Sequence, residues 1–176
     1  MNIKIHESKN SSIISLGKKV FLILAFIATA FVQKSFSQDK AVQLQQPSQL
    51  LSLYYNIKDA LVSSDAATAA TNAEQFVKTI NGISDRTISE ENRNALLKDA
   101  GVISDSKDIK KQREVFANLS TNMYTLAKAM KLSIDAVYYN YCPMKKSHWL
   151  SSNKVIKNPY FGTAMLTCGK VTETIE

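Results

Sequence analysis

Histidine is almost missing from this chain. Two occur in 176 residues, and one of them, His6, lies in the N-terminal leader described below. Zinc hydrolases draw on several imidazoles, so a lone His148 argues against that class. Cysteine is equally sparse: Cys142 and Cys168 are the only two. A disulfide-dense scaffold is excluded, and one intramolecular pairing is available. Long hydrophobic stretches are lacking too. The apolar run Val20–Val32 has 13 residues, short of the roughly 20 that a spanning helix needs. Internal repeats and low-complexity tracts are absent. A nucleophilic pair of Cys142 with His148 has no orienting third group at a recognisable spacing, so the chain is not expected to be an enzyme.

The apolar run has a different use. Lys18 and Lys19 precede it, and Ser35-Phe36-Ser37 follows with small residues at the −3 and −1 positions. That pattern is a secretory signal peptide over 1–37, cleaved between Ser37 and Gln38. The expected product is a soluble periplasmic protein with no membrane span after cleavage. Removing the leader takes away Lys4, Lys9, Lys18, Lys19 and Lys34 against Glu7, and the formal charge of +7 falls to +3. The densest basic group, Lys107, Lys110, Lys111 and Arg113, is broken by Asp105, Asp108 and Glu114. It reads as a solvated helix face, and no nucleic-acid partner is expected.

Residues 38–46 are Gln-rich and patternless, and read as a flexible mature N-terminus. A single domain is expected over 47–176. Pro47 suits the first turn of a helix, and Leu50, Tyr54, Ile57 and Leu61 then recur on one face. Ser63, Ser64 and Asp65 supply caps for a second helix carrying Ala66, Ala69, Ala73, Phe76, Val77 and Ile80, ended by Asn81-Gly82. Ser89 caps a third, shorter helix that Gly101 closes. The fourth has the strongest periodicity: Ile109, Gln112, Phe116, Leu119, Met123, Leu126 and Met130, capped by Asp105 or Ser106. Such stripes are buried only against each other, so the expected fold is all-α, an antiparallel bundle of about four helices. Met123 and Met130 read as core fillers.

After Ser133 the periodicity is lost. Val137-Tyr138-Tyr139-Asn140-Tyr141 is β-branched and aromatic and stops at Cys142-Pro143. It reads as a short extended segment or a helix extension, followed by an irregular tail with Trp149, Tyr160 and Phe161 as a small aromatic core. This tail holds the chemistry. Cys142 and Met144 share one side of an extended chain, while Met165 and Cys168 share one helical turn. His148 adds an imidazole. Thiolate and thioether favour Cu(I) or a related soft ion. A disulfide explains the same cysteines, closing a loop of roughly 25 residues for about 3 kcal/mol. Free thiols are the third reading.

The runs VYYNYCPM, HWLSSNKVIKNPYFG and MLTCGKVTET, with LLSLYYNIKDALVSSD upstream, resemble the family called domain of unknown function 3347. Its members are exported domains of Bacteroidetes-type bacteria, alone or at the end of adaptor subunits of heavy-metal efflux pumps. The CPM and CG elements are also similar to the heavy-metal-binding motif of copper ATPases and copper efflux adaptors, Cys-Pro-Met-His followed by Cys-Gly-Met. Cys142, Met144 and Cys168 match it, whereas Lys145 replaces the histidine and Lys170 the last methionine. The resemblance implies metal association and an efflux adaptor as partner.

Overall fold

The computed structural model describes residues 35–84 and 86–176, with side chains from Pro47 onward. The leader expected over 1–37 thus lies, up to residue 34, outside the described residues. Residues Gln43–Glu176 form one compact unit. Among the described residues no helix is long and apolar enough to cross a membrane.

Four helices come first: α1 (Ser35–Val62), α2 (Ala66–Asn81), α3 (Glu90–Asp105) and α4 (Ile109–Ala129). Helix α1 begins twelve residues before the expected start, with Pro47 inside it. Proline is favoured at a helix start but does not require one. The preceding Gln and Ala residues are good helix formers, so the propensity argument extends upstream. Helix α2 is capped as expected by Asp65, whose carboxylate accepts the Thr68 N–H at 2.9 Å and the Thr68 hydroxyl at 2.7 Å; these bonds lower the Asp65 pKa. Ser89 caps α3. Asp108, rather than Asp105 or Ser106, caps α4, accepting from Lys110 N–H at 2.8 Å.

Gly101 does not close α3, which runs on to Asp105. A glycine ends a helix only where the backbone turns out of the helical region, and Ser106 makes that turn here, at φ −97° and ψ 137°. A Cβ built on Gly101 meets nothing within 4 Å. Gly101→Ala is therefore expected to stabilise the domain by roughly 0.5–1 kcal/mol, because alanine loses less backbone entropy on folding. Urea unfolding checks this, and a lower midpoint would contradict it.

The stripes pack as the periodicity predicts. Leu50, Tyr54, Ile57 and Leu61 of α1, Ala69, Ala73, Phe76 and Ile80 of α2, and Phe116, Leu119 and Met123 of α4 are fully buried. Met130 is half-buried against them. Alanines at 69 and 73 remove bulk where α2 meets its neighbours. The Tyr54 and Phe116 rings stack at 5.1 Å, and Tyr54 Oη shares a 2.7 Å hydrogen bond with Ser120 Oγ. Gln112 is the polar member of the α4 stripe. Its buried amide donates to the carbonyls of Ser106 at 2.8 Å and Ala66 at 2.9 Å, which joins the α3–α4 loop to the start of α2.

The fold is not all-α, and the tail is not irregular. Strands β1 (Val137–Cys142), β2 (Ser147–Ser151) and β3 (Lys170–Ile175) form an antiparallel sheet in the order β2-β1-β3. Partners run from Tyr138↔Ser151 to Cys142↔Ser147, and from Val137↔Ile175 to Tyr141↔Lys170, with a bulge at Tyr139/Asn140. The β-branched, aromatic composition of β1 marked it as extended. Its partners were not legible, because β2 is five residues long and β3 pairs with β1 from about thirty residues away. Tyr54 Oη accepts the Leu150 N–H at 3.0 Å, so a bundle side chain satisfies a donor on edge strand β2.

Candidate metal centre

The β1–β2 turn, Pro143–Lys146, closes with Lys146 at φ 55° and its N–H donating to Cys142 C=O at 2.8 Å. This tight turn aims successive N–H groups at sulfur. Lys145 N–H donates to Cys142 Sγ at 3.4 Å, and Met144 N–H donates to Cys168 Sγ. Cys168 arrives from the other side, after the 3-10 turn Gly162–Met165, with its own N–H on Met165 C=O at 3.1 Å. The two thiols, both free, are neighbours, and burial first and Cys142 next raise the pKa of Cys168. Two cysteines separated by a long loop in sequence thus share one site.

Asn158 locks this arrangement. It is fully buried, and its Nδ2 donates to Cys142 Sγ at 3.1 Å and to Cys168 C=O at 2.6 Å. Its Oδ1 accepts Tyr160 N–H at 2.8 Å, while its backbone bonds Leu166 C=O and Gly162 N–H. One amide side chain therefore holds both cysteine-bearing segments in register. Sequence reasoning missed it. NPYFG was visible as a motif, but only the fold turns its asparagine towards sulfur.

Two glycines let these segments approach. Gly169 has φ 152°, and a Cβ there would lie 2.7 Å from the Trp149 ring and 3.0 Å from Tyr141 C=O. Trp149, buried, floors the site under Cys168-Gly169. Gly162 has φ 56°, and a Cβ there would lie 2.8 Å from Val62 C=O and 2.5 Å from the Arg113 guanidinium. Arg113 donates to Pro159 C=O at 2.9 Å, Leu61 C=O at 2.7 Å and Ser64 Oγ at 2.8 Å. The NPYFG loop is thereby fastened to α4 and to the α1–α2 turn. A chain of rings, Trp149 to Tyr160 to Phe116 to Tyr54, carries the packing from the thiols into the bundle.

The five residues singled out from the sequence separate here. Cys142 and Cys168 come together, the first fully buried and the second half-buried. Met144 is beside them through its backbone, but its side chain is 63% exposed. Met165 contributes its carbonyl as the partner of Cys168 N–H. His148 is not with the thiols. It pairs with Tyr141, and alternation along a strand puts Tyr141 and Cys142 on opposite faces. Its ring stacks on Tyr139 at 4.5 Å and tilts against Tyr141 at 4.7 Å, with Tyr124 completing the stack. Burial lowers its pKa, which favours the neutral imidazole. Among the described residues there is no cluster of three or more His, Cys, Asp or Glu arranged to hold a metal ion.

The Cys168 thiol is pushed above the ordinary thiol pKa, first by burial and then by Cys142 beside it, while the Met144 N–H opposes the shift. Two sulfurs with backbone and amide donors make a soft, compact donor pair. They fit a thiophilic cation that accepts few ligands, and they fall short of a tetrahedral zinc site with four Cys or His donors.

Fold and site together define a small, mostly helical domain whose C-terminal sheet presents a pair of thiols at a tight turn. Residues 50–135 match the family described as Protein of unknown function (DUF3347), the family that the sequence motifs resemble. The match covers the bundle from Leu50 of α1 to Asp135, two residues before β1, so the thiols lie outside it. No curated protein and no solved structure matches the chain.

Proposed function

We propose that the domain is a periplasmic binding protein for Cu(I) or a related soft ion, held by Cys142 and Cys168, and that it serves heavy-metal handling with an efflux adaptor as its partner. The carrying observation is the convergence of both sulfurs under N–H donors from Met144, Lys145 and Asn158. These donors fix the two sulfurs, and at Cys168 the Met144 N–H opposes the rise in pKa that burial and Cys142 impose. A bound ion would supply the positive charge that offsets two thiolates. The protein supplies the rest: the turn and Asn158 fix the sulfurs, and Trp149 closes off the interior side. Export and the adaptor rest on the leader pattern and the resemblance above. A binding role rather than catalysis is supported by the separation of His148 from Cys142 by the sheet.

The second reading is a Cys142–Cys168 disulfide stapling a non-metal interaction module. The adjacency of the two thiols supports it as well. Thiol titration of protein purified from the periplasm, with and without Cu(I), separates the two. Two reactive thiols that Cu(I) masks support the metal site, and none before reduction supports the staple.

The raised Cys168 pKa gives the metal site a pH signature. A ligand thiol must lose its proton, so binding releases protons. Apparent Cu(I) affinity is expected to rise with pH up to the elevated Cys168 pKa, and to level off above it. In the metal-free protein the sign is opposite. A group protonated longer in the folded state than in the unfolded one stabilises below its unfolded pKa, and that stability is lost as pH rises through the folded value. Competition titrations at several pH values check the first trend and alkaline urea melts the second. A pH-independent affinity would contradict thiolate ligation.

A further inference from the structure

The net charge of the domain is confined to one end. Residues 47–135 contain eleven basic and eleven acidic side chains, whereas residues 136–172 contain five lysines and no acid at all. Those five, Lys145, Lys146, Lys154, Lys157 and Lys170, all lie on the segments that meet at the thiols. Lys145 and Lys146 are in the β1–β2 turn and Lys154 and Lys157 precede Asn158, whereas Lys170 pairs with Tyr141 and so shares the His148 face of the sheet. Four of them are exposed and Lys145 is half-buried. Among the described residues the ion pairs join Lys58 to Asp59, Lys78 to Glu74 and Lys128 to Glu173, so none involves this group.

The same segments expose apolar surface. Four large apolar side chains stand out among the described residues, and three of them, Met144, Val155 and Leu166, are here. Met144 and Leu166 flank Cys168 through the Met144 N–H bond to its sulfur and the Leu166 C=O bond to Asn158 N–H. Val155 neighbours Ile156, whose side chain lies against Gly169. Exposed apolar residues interspersed with charge of one sign on converging segments have the composition of a recognition patch, in which apolar contact holds the partner and charge steers it. Structural need does not explain the lysines, because they form no ion pair with an acid among the described residues.

We infer that the thiol-bearing end of the sheet is a docking face for an acidic protein segment that carries apolar side chains between its carboxylates. Charge complementarity selects the sign of the partner, and Met144, Val155 and Leu166 give it a contact that salt does not screen. A partner seated there would lie directly over Cys168, the more accessible thiol. The inference does not need a metal, so its test is separate from that of metal binding.

The test uses reduced, metal-free protein and a fluorescent peptide of alternating glutamate and leucine, with a glutamate–serine peptide for comparison. Anisotropy should show binding of the first peptide that weakens with salt, and weaker binding of the second. Lys146→Glu with Lys154→Glu and Lys157→Glu should weaken binding roughly tenfold or more, whereas Lys107→Glu with Lys110→Glu and Lys111→Glu, in the α3–α4 loop and the first turn of α4, should leave it unchanged. Met144→Ser with Leu166→Ser should remove the preference for the leucine peptide. Cys142→Ser, which removes the proposed metal ligand, should still bind the peptide. The inference is overturned by equal loss in the variant at Lys107, Lys110 and Lys111, by no discrimination between the peptides, or by tighter binding to phosphatidylglycerol vesicles or duplex DNA than to peptide.

Discussion

Cys142→Ser is expected to abolish tight Cu(I) binding in the reduced protein, which should otherwise take up one ion per chain. Cys142 is the fully buried thiol and carries the Lys145 and Asn158 donors. A serine hydroxyl keeps the shape but is a hard, neutral ligand, so both the charge and the softness are lost. Cys168→Ser should do the same. Asn158→Ala leaves both sulfurs but removes the amide that positions them, and about 10–100-fold weaker binding is expected, the usual cost of losing a supporting hydrogen bond to a ligand. Met144→Leu and Met165→Leu should have small effects: Met144 acts on Cys168 through its backbone and Met165 through its carbonyl. His148→Ala should have none, because the ring lies across the sheet. Zn(II) should bind far more weakly than Cu(I). Competition against a Cu(I) chelator measures all of these. If the Cys142→Ser, Cys168→Ser double variant competes as well as the wild type, the metal proposal is wrong.

Phe116→Ala is expected to cost roughly 3–5 kcal/mol, the range for deleting a buried phenyl ring. Phe116 is fully buried and touches both parts of the domain, stacking on Tyr54 and lying 6.1 Å from Tyr160. Its loss opens a cavity under Tyr54, the residue that bonds Ser120 in the bundle and Leu150 in the sheet. The variant should therefore lose near-ultraviolet aromatic dichroism as well as stability. The cysteine double variant is the contrast. The bundle is buried by its own stripes, so that variant should keep its helical dichroism and lose far less. Equal helix loss in both would mean that the tail organises the bundle, and would overturn this account.

The bundle was legible because its signals are local. A stripe at spacings of three and four, such as Gln112, Phe116, Leu119, Met123 and Leu126, states a helix and its buried face together. Caps such as Asp65 and Ser89 work within a single turn. Gly101 and Pro47 misled for a related reason. Each permits a boundary without imposing one, and only the neighbouring backbone decides whether the helix goes on. The lysine excess of residues 136–172 was on view as composition, but scattered charges become a patch only when loops meet.

By itself, then, the sequence determined four helices, their buried faces, the two thiols and the lysines near them. The tertiary structure alone decided which of those side chains share a place. Strand pairing joins residues far apart in the chain, so no local window reports that β3 returns beside β1 and brings Cys168 to Cys142. Pleat alternation then moved His148 away by a one-residue difference in face, and a tight turn put the Met144 backbone, rather than its thioether, against sulfur. These are consequences of register and of chain reversal, which depend on contacts made only after the domain has folded.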